Sequence, residues 1–108
     1  MGGRDDVGSV FAALADPTRR GMVETLLQAG TTSVPELASA LPMTRQAVAK
    51  HLAALDEAGL VERAADAGRV VRYRLRPGAL TPASSWLRTT EQAWDGRLER
   101  LKRSTEGA

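Results

Sequence analysis

Residues 33–59 read SVPELASALPMTRQAVAKHLAALDEAG, and this stretch decides the fold. Ser33 with Glu36 three residues later is a capping box, a signature of a helix start. Val34, Leu37, Ala38 and Leu41 follow at helical spacing until Pro42 ends the run. Thr44 is then a good N-cap for a second helix, and from Arg45 to Ala58 the chain contains neither Gly nor Pro. At about 100° per residue, Val48, Leu52 and Leu55 fall on one side of this helix. Gln46, Ala49, Lys50 and Ala53 fall on the other. Gly59 supplies the left-handed residue that terminates it. Two helices joined by the tight turn Pro42-Met43-Thr44 make a candidate helix-turn-helix.

Beyond Gly59 the pattern changes. Val61 to Ala65 predicts a short strand, Asp66-Ala67-Gly68 a turn, and Arg69 to Leu75 a second strand. In the second strand Val71, Tyr73 and Leu75 alternate with Val70, Arg72, Arg74 and Arg76, giving one apolar and one basic face. Pro77-Gly78 breaks it. A basic hairpin directly behind the second helix turns the pair into a winged helix-turn-helix. The fold class is therefore mainly α with a small β-hairpin (α+β).

Upstream, Val10, Phe11 and Leu14 form a short helical stripe. Asp16-Pro17 reads as an N-cap followed by proline at the first helical position. The helix it opens carries Met22, Val23, Leu26 and Leu27 and stops at Gly30, and Thr31-Thr32-Ser33 reads as a loop. Downstream, a long helix is expected over roughly residues 80 to 103, with Ala83, Leu87, Thr90, Trp94, Leu98 and Leu101 recurring at steps of three and four. Nothing later in the chain covers that stripe, so it wants a second subunit; packing back on its own domain is the alternative. The expected organisation is an irregular end over 1–7, one domain of four short helices, a two-stranded wing and the long helix over 8–103, and a frayed tail over 104–108.

Composition agrees with one modest domain. The chain has 108 residues, 43% hydrophobic and 26% charged, enough for one core burying roughly 65% of the unfolded surface. Aromatics are scarce, and Ala and Leu carry the apolar weight, which favours helices over a β-sandwich. Cysteine is absent and histidine occurs once, at His51. That excludes disulfides, cysteine zinc sites, iron–sulfur clusters and thiol catalysis, and leaves no second histidine and no cysteine from which to build a nucleophile–base pair. No metal, cofactor or enzymatic activity is expected. No apolar run approaches the ~18 residues that cross a bilayer, and Met1 to Asp6 lacks the apolar core of a signal peptide, so a reduced cytoplasmic setting is expected.

Net charge is +2, yet thirteen of the fifteen bases are arginine. Arg63, Arg69, Arg72, Arg74 and Arg76 fall within fourteen residues against Asp66 alone. Such a cluster points to a polyanion, although a solvated strand face is the plainer reading of any single charge run. A major groove about 12 Å wide admits one helix, whose N-terminal end meets the base edges. The residues in that place are Thr44, Arg45 and Gln46, with Ala49 and Lys50 on the outward face. Arg forks onto guanine, Gln bridges adenine, and small Ala49 allows close approach or touches a thymine methyl. Lys50 is suited to phosphate. Arg69, Arg72 and Arg74 on the wing lie near the DNA backbone, with Arg69 at the tip positioned for the minor groove.

At this point the residues resemble a known family. Ala15-Asp16-Pro17-Thr18-Arg19-Arg20, Gln46-Ala47-Val48-Ala49-Lys50-His51-Leu52, Glu57-Ala58-Gly59-Leu60-Val61, and Gly68-Arg69 with Tyr73-Arg74-Leu75 resemble, in this order, the ArsR/SmtB winged-helix repressors of bacteria. The resemblance covers residues 10 to 76. It implies a homodimeric repressor of double-stranded DNA, with the first and last helices at the dimer interface: Val10, Phe11 and Leu14 from one, Leu87, Trp94, Leu98 and Leu101 from the other. A symmetric dimer wants an inverted repeat with half-site centres about 10 bp apart. The Trp94 to Leu101 stretch looks like members without metal sites. Metal sensors of the family use cysteines near the first helix of the pair, or His and acidic residues on the last helix. Here the former are missing and the latter offers Glu91, Asp95 and Glu99. Ala49 stands where many relatives have serine.

Plainer readings accompany several of these residues. His51 lies at the margin of the apolar stripe and reads as a packed or phosphate-contacting histidine. Glu91, Asp95 and Glu99 sit among arginines and lysines and read as a solvated face with i, i+4 pairing. Trp86 and Trp94 read as core and dimer anchors. Arg19-Arg20 grips phosphate or another part of the dimer. The rival class is a dimeric interaction module whose basic hairpin meets an acidic protein; a basic amphipathic helix on an anionic membrane is weaker, because acids interrupt the last helix.

Overall fold

The computed structural model describes residues 3–64 and 68–106. Among these residues five helices and three short strands follow in the order α1 (Gly3–Leu14), α2 (Pro17–Ala29), β1 (Thr32–Ser33), α3 (Val34–Ala40), α4 (Arg45–Glu57), β2 (Val61–Arg63), β3 (Arg72–Leu75) and α5 (Thr81–Glu106).

Local chemistry sets most of these boundaries. The Asp16 carboxylate accepts from the Arg19 backbone N–H at 3.0 Å and starts α2, with Pro17 in the first turn. The Ser33 hydroxyl accepts from Glu36 N–H at 3.3 Å and starts α3, and the Thr44 hydroxyl accepts from Ala47 N–H at 3.1 Å and starts α4. α4 ends at Gly59, with φ +77°, where Gly59 N–H donates to Asp56 O and Leu60 N–H to Leu55 O. These are the two bonds of a Schellman motif, and Leu55 and Leu60 at its ends are both fully buried.

The core is built by α1, α2, α3, α4 and β2. Met22, Leu26, Leu37, Val48, Leu52, Leu55, Leu60 and Val61 are all at most 1% exposed. The stripe expected on α4 is thus the buried one, and Gln46, Ala49, Lys50 and Ala53 are exposed. Val10 and Ala13 of α1 and Ala83 of α5 close one side of the core.

Several boundaries differ from the sequence expectation. The segment 31–33, expected as a loop, contributes a third strand: the antiparallel sheet runs β1-β3-β2, with Thr32 opposite Tyr73 and Ser33 opposite Arg72. Thr32 and Ser33 are buried, and a buried backbone needs hydrogen-bond partners, which β3 provides. The second wing strand begins at Arg72, not Arg69, because Gly68–Val70 bend away before pairing starts. The expected turn residues Asp66 and Ala67 lie outside the described residues. α1 begins at Gly3, within the stretch expected to be irregular, and α5 runs on to Glu106. Once a turn is nucleated, each added residue gains a backbone bond, so helices outgrow their apolar stripes.

α5 gives the molecule its outline. Its 26 residues span about 39 Å at 1.5 Å per residue, and the described molecule measures 70 × 29 × 23 Å. The radius of gyration is 18.8 Å, where a compact chain of this length has about 13 Å. Only the first turns of α5 reach the body: Ala83 enters the core and Trp86 meets Phe11 edge to face at 5.7 Å. The rest stands clear.

Candidate nucleic-acid interface

α3 and α4 pack on each other across the turn 41–44, where Met43 N–H donates to Leu41 O at 2.8 Å and Met43 rests against the core. With its apolar face locked inward, α4 presents Arg45, Gln46, Ala49 and Lys50 to solvent. None of the side chains of Arg45, Gln46 and Lys50 has a polar partner among the described residues. Thr44 is at the same end, but its hydroxyl is engaged as the cap.

His51 is placed differently from its neighbours. It is half-buried, with Nδ1 3.9 Å from the Asp16 carboxylate and 3.5 Å from the Arg19 guanidinium. It therefore ties α4 to the start of α2. The Asp16 carboxyl is held below its usual range, chiefly by the Arg19 backbone N–H and further by the Arg19 charge.

Arg19 and Arg20 have an intramolecular task that the sequence reading did not assign. Arg19 Nε donates to Ala13 O at 2.8 Å, and Arg20 donates to Leu14 O at 2.6 Å. Both cap the open carbonyls at the C-terminus of α1, where positive charge also suits the helix dipole. The run Ala15 to Arg20 is a double cap: one carboxylate starts α2 while two guanidinium groups finish α1.

The wing arginines divide into two kinds. Arg69 at the tip and Arg63 on β2 are exposed. Arg74 pairs with Glu62 at 2.7 Å, and Arg76 Nε lies 3.6 Å from the same carboxylate. Arg72, expected along a DNA backbone, is turned to the body of the protein. Its Nε donates to Thr31 Oγ1 at 2.9 Å, and its two terminal nitrogens reach the two Glu36 oxygens at 3.1 and 2.9 Å. The reason is register: Arg72 lies opposite Ser33, which places it above the first turn of α3. Glu36 consequently completes only half of the expected capping box. Its carboxylate accepts from Arg72 and from Thr32 Oγ1, and the Arg72 hydrogen bonds hold its carboxyl below the usual range. No spacing rule pairs residues 36 apart, so this contact was invisible in the sequence.

The residues expected at a dimer interface also separate. Val10 is 2% exposed and belongs to the core of its own chain, because α1 turns it toward Ala83 and α4. Leu14 is partly buried against the same core. Phe11, Trp86, Leu87, Trp94, Leu98 and Leu101 remain 36–55% exposed. Glu91, Asp95 and Glu99 form no ion pair among the described residues, so the expected i, i+4 pairing on α5 is absent. No group of three His, Asp or Glu side chains suited to a metal occurs among the described residues, and none of their helices is long and apolar enough to cross a membrane.

A helix-turn-helix with an outward polar face on its second helix, backed by a β-wing, defines a DNA-binding regulator. Residues 14–64 match the family described as a helix-turn-helix domain. The chain is 33% identical over 93 residues to the arsenical resistance operon repressor of Escherichia coli K12, covering 86% of this chain and 76% of that protein. It is 49% identical over 71 residues to an HTH-type transcriptional regulator of Mycobacterium tuberculosis, covering 65% of this chain and just under two thirds, 64%, of that protein. In structure it is similar to an ArsR-like transcriptional regulator from Rhodococcus sp. RHA1, with 41% identity, TM-score 0.82 and 95% of each chain covered. The chain belongs to the ArsR/SmtB family of winged helix-turn-helix transcriptional regulators, a DNA-binding and not an enzymatic family.

Proposed function

We propose that this chain works in the cytoplasm as a homodimeric repressor that reads an inverted-repeat operator. The first turn of α4 enters the major groove, where Arg45 and Gln46 take base edges, Ala49 admits close approach and Lys50 neutralises a phosphate. Thr44 sets where that turn begins. His51 acts from behind by holding α4 on α2. Arg69 reaches into the flanking minor groove and Arg74 lies beside the backbone. Phe11, Leu87, Trp94, Leu98 and Leu101 are covered by a second copy, with Val10 and Leu14 supporting them from beneath.

The observation that carries this reading is the outward face of α4. Three polar side chains stand there without a polar partner among the described residues, on a helix whose other face is immobilised in the core. Exposed polar groups on a fixed helix backbone, bonded to water and not to the protein, are free to hydrogen-bond a ligand surface. The E. coli relative is named for arsenical resistance. This chain has no cysteine, so soft thiolate ligands for a metalloid are outside its chemistry, and no effector is assigned.

Selection of duplexes from a randomised pool, followed by fluorescence anisotropy across salt concentrations, tests the proposal. The expected result is an inverted-repeat consensus and a linear fall of log affinity with log salt. Absence of duplex binding at low salt overturns it, and retention of an acidic protein instead favours the interaction-module reading.

A further inference from the structure

Arg72 is the first paired residue of β3, and it lies where the wing leaves the body of the protein. Gly68–Val71, on its tip side, belong to no strand. On its body side β3 pairs with β1 over two residues and with β2 over three, and both pairings end at Arg72 and Tyr73. The direction of the tip is therefore set at this junction. The guanidinium grips Glu36 with two parallel bonds, donates to the Thr31 hydroxyl, and reaches the Thr31 carbonyl at 3.4 Å. Planar fork-to-carboxylate geometry of this kind fixes orientation as well as distance. Glu36 itself sits in the first turn of α3, the helix that positions α4. One salt bridge thus connects the wing to the helix-turn-helix from outside the proposed DNA surface.

We propose that the Arg72–Glu36 fork is a brace that sets the angle between wing and helix-turn-helix, so that Arg69 and the first turn of α4 engage one duplex together. This rests on the functional reading above. It makes Arg72 and Glu36 positioning residues for DNA binding, Glu36 despite its negative charge.

The sign of one substitution separates a brace from simple electrostatics. Glu36→Gln removes a negative charge from a DNA-binding protein. If Glu36 acted only through its field, the change would strengthen binding. If Arg72 touched phosphate, freeing it would strengthen binding as well. The brace requires the opposite. Gln is also accepted at this position of a capped helix start, so α3 is retained.

The experiment is fluorescence anisotropy on a duplex selected by the wild-type protein, at several salt concentrations, with thermal melts of each variant. Glu36→Gln is expected to weaken binding on the order of fivefold, with the salt slope and melting midpoint little changed. Arg72→Lys, which keeps the charge and loses the fork, is expected to behave alike. The double variant Glu36→Gln/Arg72→Gln is expected to bind no worse than either single change, as members of one interaction do. Amide exchange at Ala64, whose N–H donates to Arg72 O, is expected to speed up while that of α2 stays unchanged. Equal or tighter binding by Glu36→Gln overturns the brace, as does an Arg72→Gln variant whose salt slope falls by about one, the mark of a phosphate contact. If wild type binds and only these outcomes fail, the brace alone is wrong. If wild type binds no duplex at any salt, the functional reading and the brace fall together.

Discussion

α4 and α5 are both amphipathic helices of the same period, and they end differently. α4 sets Val48, Leu52 and Leu55 against α1, α2 and α3, and all three are at most 1% exposed. α5 sets Leu87, Trp94, Leu98 and Leu101 on one face, and all four stay near half exposed. The apolar pattern is equally plain in both. What differs is cover: among the described residues other elements bury the apolar face of α4, and none buries that of α5 beyond its first turns. An apolar stripe tells that a surface will be buried, not which polypeptide buries it. Single exposed apolar residues are ordinary, but several in register on one projecting helix form the kind of surface that the proposed second copy would cover.

The largest expected effect puts the same charge into both stripes. Leu55→Asp buries an unpaired carboxylate in the core, a substitution that exceeds the stability of a small domain, and circular dichroism should show an unfolded chain. Leu98→Asp should leave the helical spectrum intact and turn a dimer into a monomer by light scattering. A folded Leu55→Asp protein, or a Leu98→Asp protein that unfolds as a monomer, would erase the distinction between the two helices. Next in size is Trp94→Ala, which at a packed dimer contact should cost about 3–5 kcal/mol of association. Its melting midpoint should also lose the concentration dependence expected of the wild-type dimer.

The outward face of α4 allows a sharper contrast, since the residues there should affect binding and not folding. Arg45→Ala or Gln46→Ala should lose about 1–3 kcal/mol on the selected duplex and little on random DNA, with an unchanged melting midpoint. A parallel loss on both duplexes would remove α4 from sequence readout.

The smallest effect concerns the polar junctions that carry these helices. Asp16 and Glu36 both have folded pKa values below their unfolded ones. Their contribution is therefore fully present above the unfolded carboxylate pKa and is lost as pH falls through the depressed folded values. Asp16→Asn keeps a good N-cap and removes the titration. It should leave neutral stability nearly unchanged and make acid unfolding between pH ~5 and ~2 less steep, measured by thermal melts across pH.

The helix-turn-helix was legible because its determinants are local. Caps at Asp16, Ser33 and Thr44, breaks at Gly30, Pro42 and Gly59, and the period of Val48, Leu52 and Leu55 each act within a few residues. The outward group Arg45, Gln46, Ala49 and Lys50 followed from the same period. The jobs of the arginines were not legible in this way. Arg19 and Arg20 read as gripping phosphate or another part of the dimer, and Arg72 as lying near a DNA backbone; the fold brings the open carbonyls of α1 to the first two and the Glu36 carboxylate to the third. Arginine has reach and five donors, so its partner depends on whichever acceptor the fold delivers.

Sequence by itself determined that these helices exist and in what order, the caps and breaks that bound α2, α3 and α4, and which face of each is apolar, because capping, propensity and periodicity are properties of short stretches. Tertiary structure decided the third strand at Thr32–Ser33, the burial of Val10 in its own core, the turning of Arg72 onto Glu36 and the exposure of the α5 stripe. Each of these depends on segments far apart in the chain meeting, or failing to meet. Only the folded backbone fixes which groups share a place.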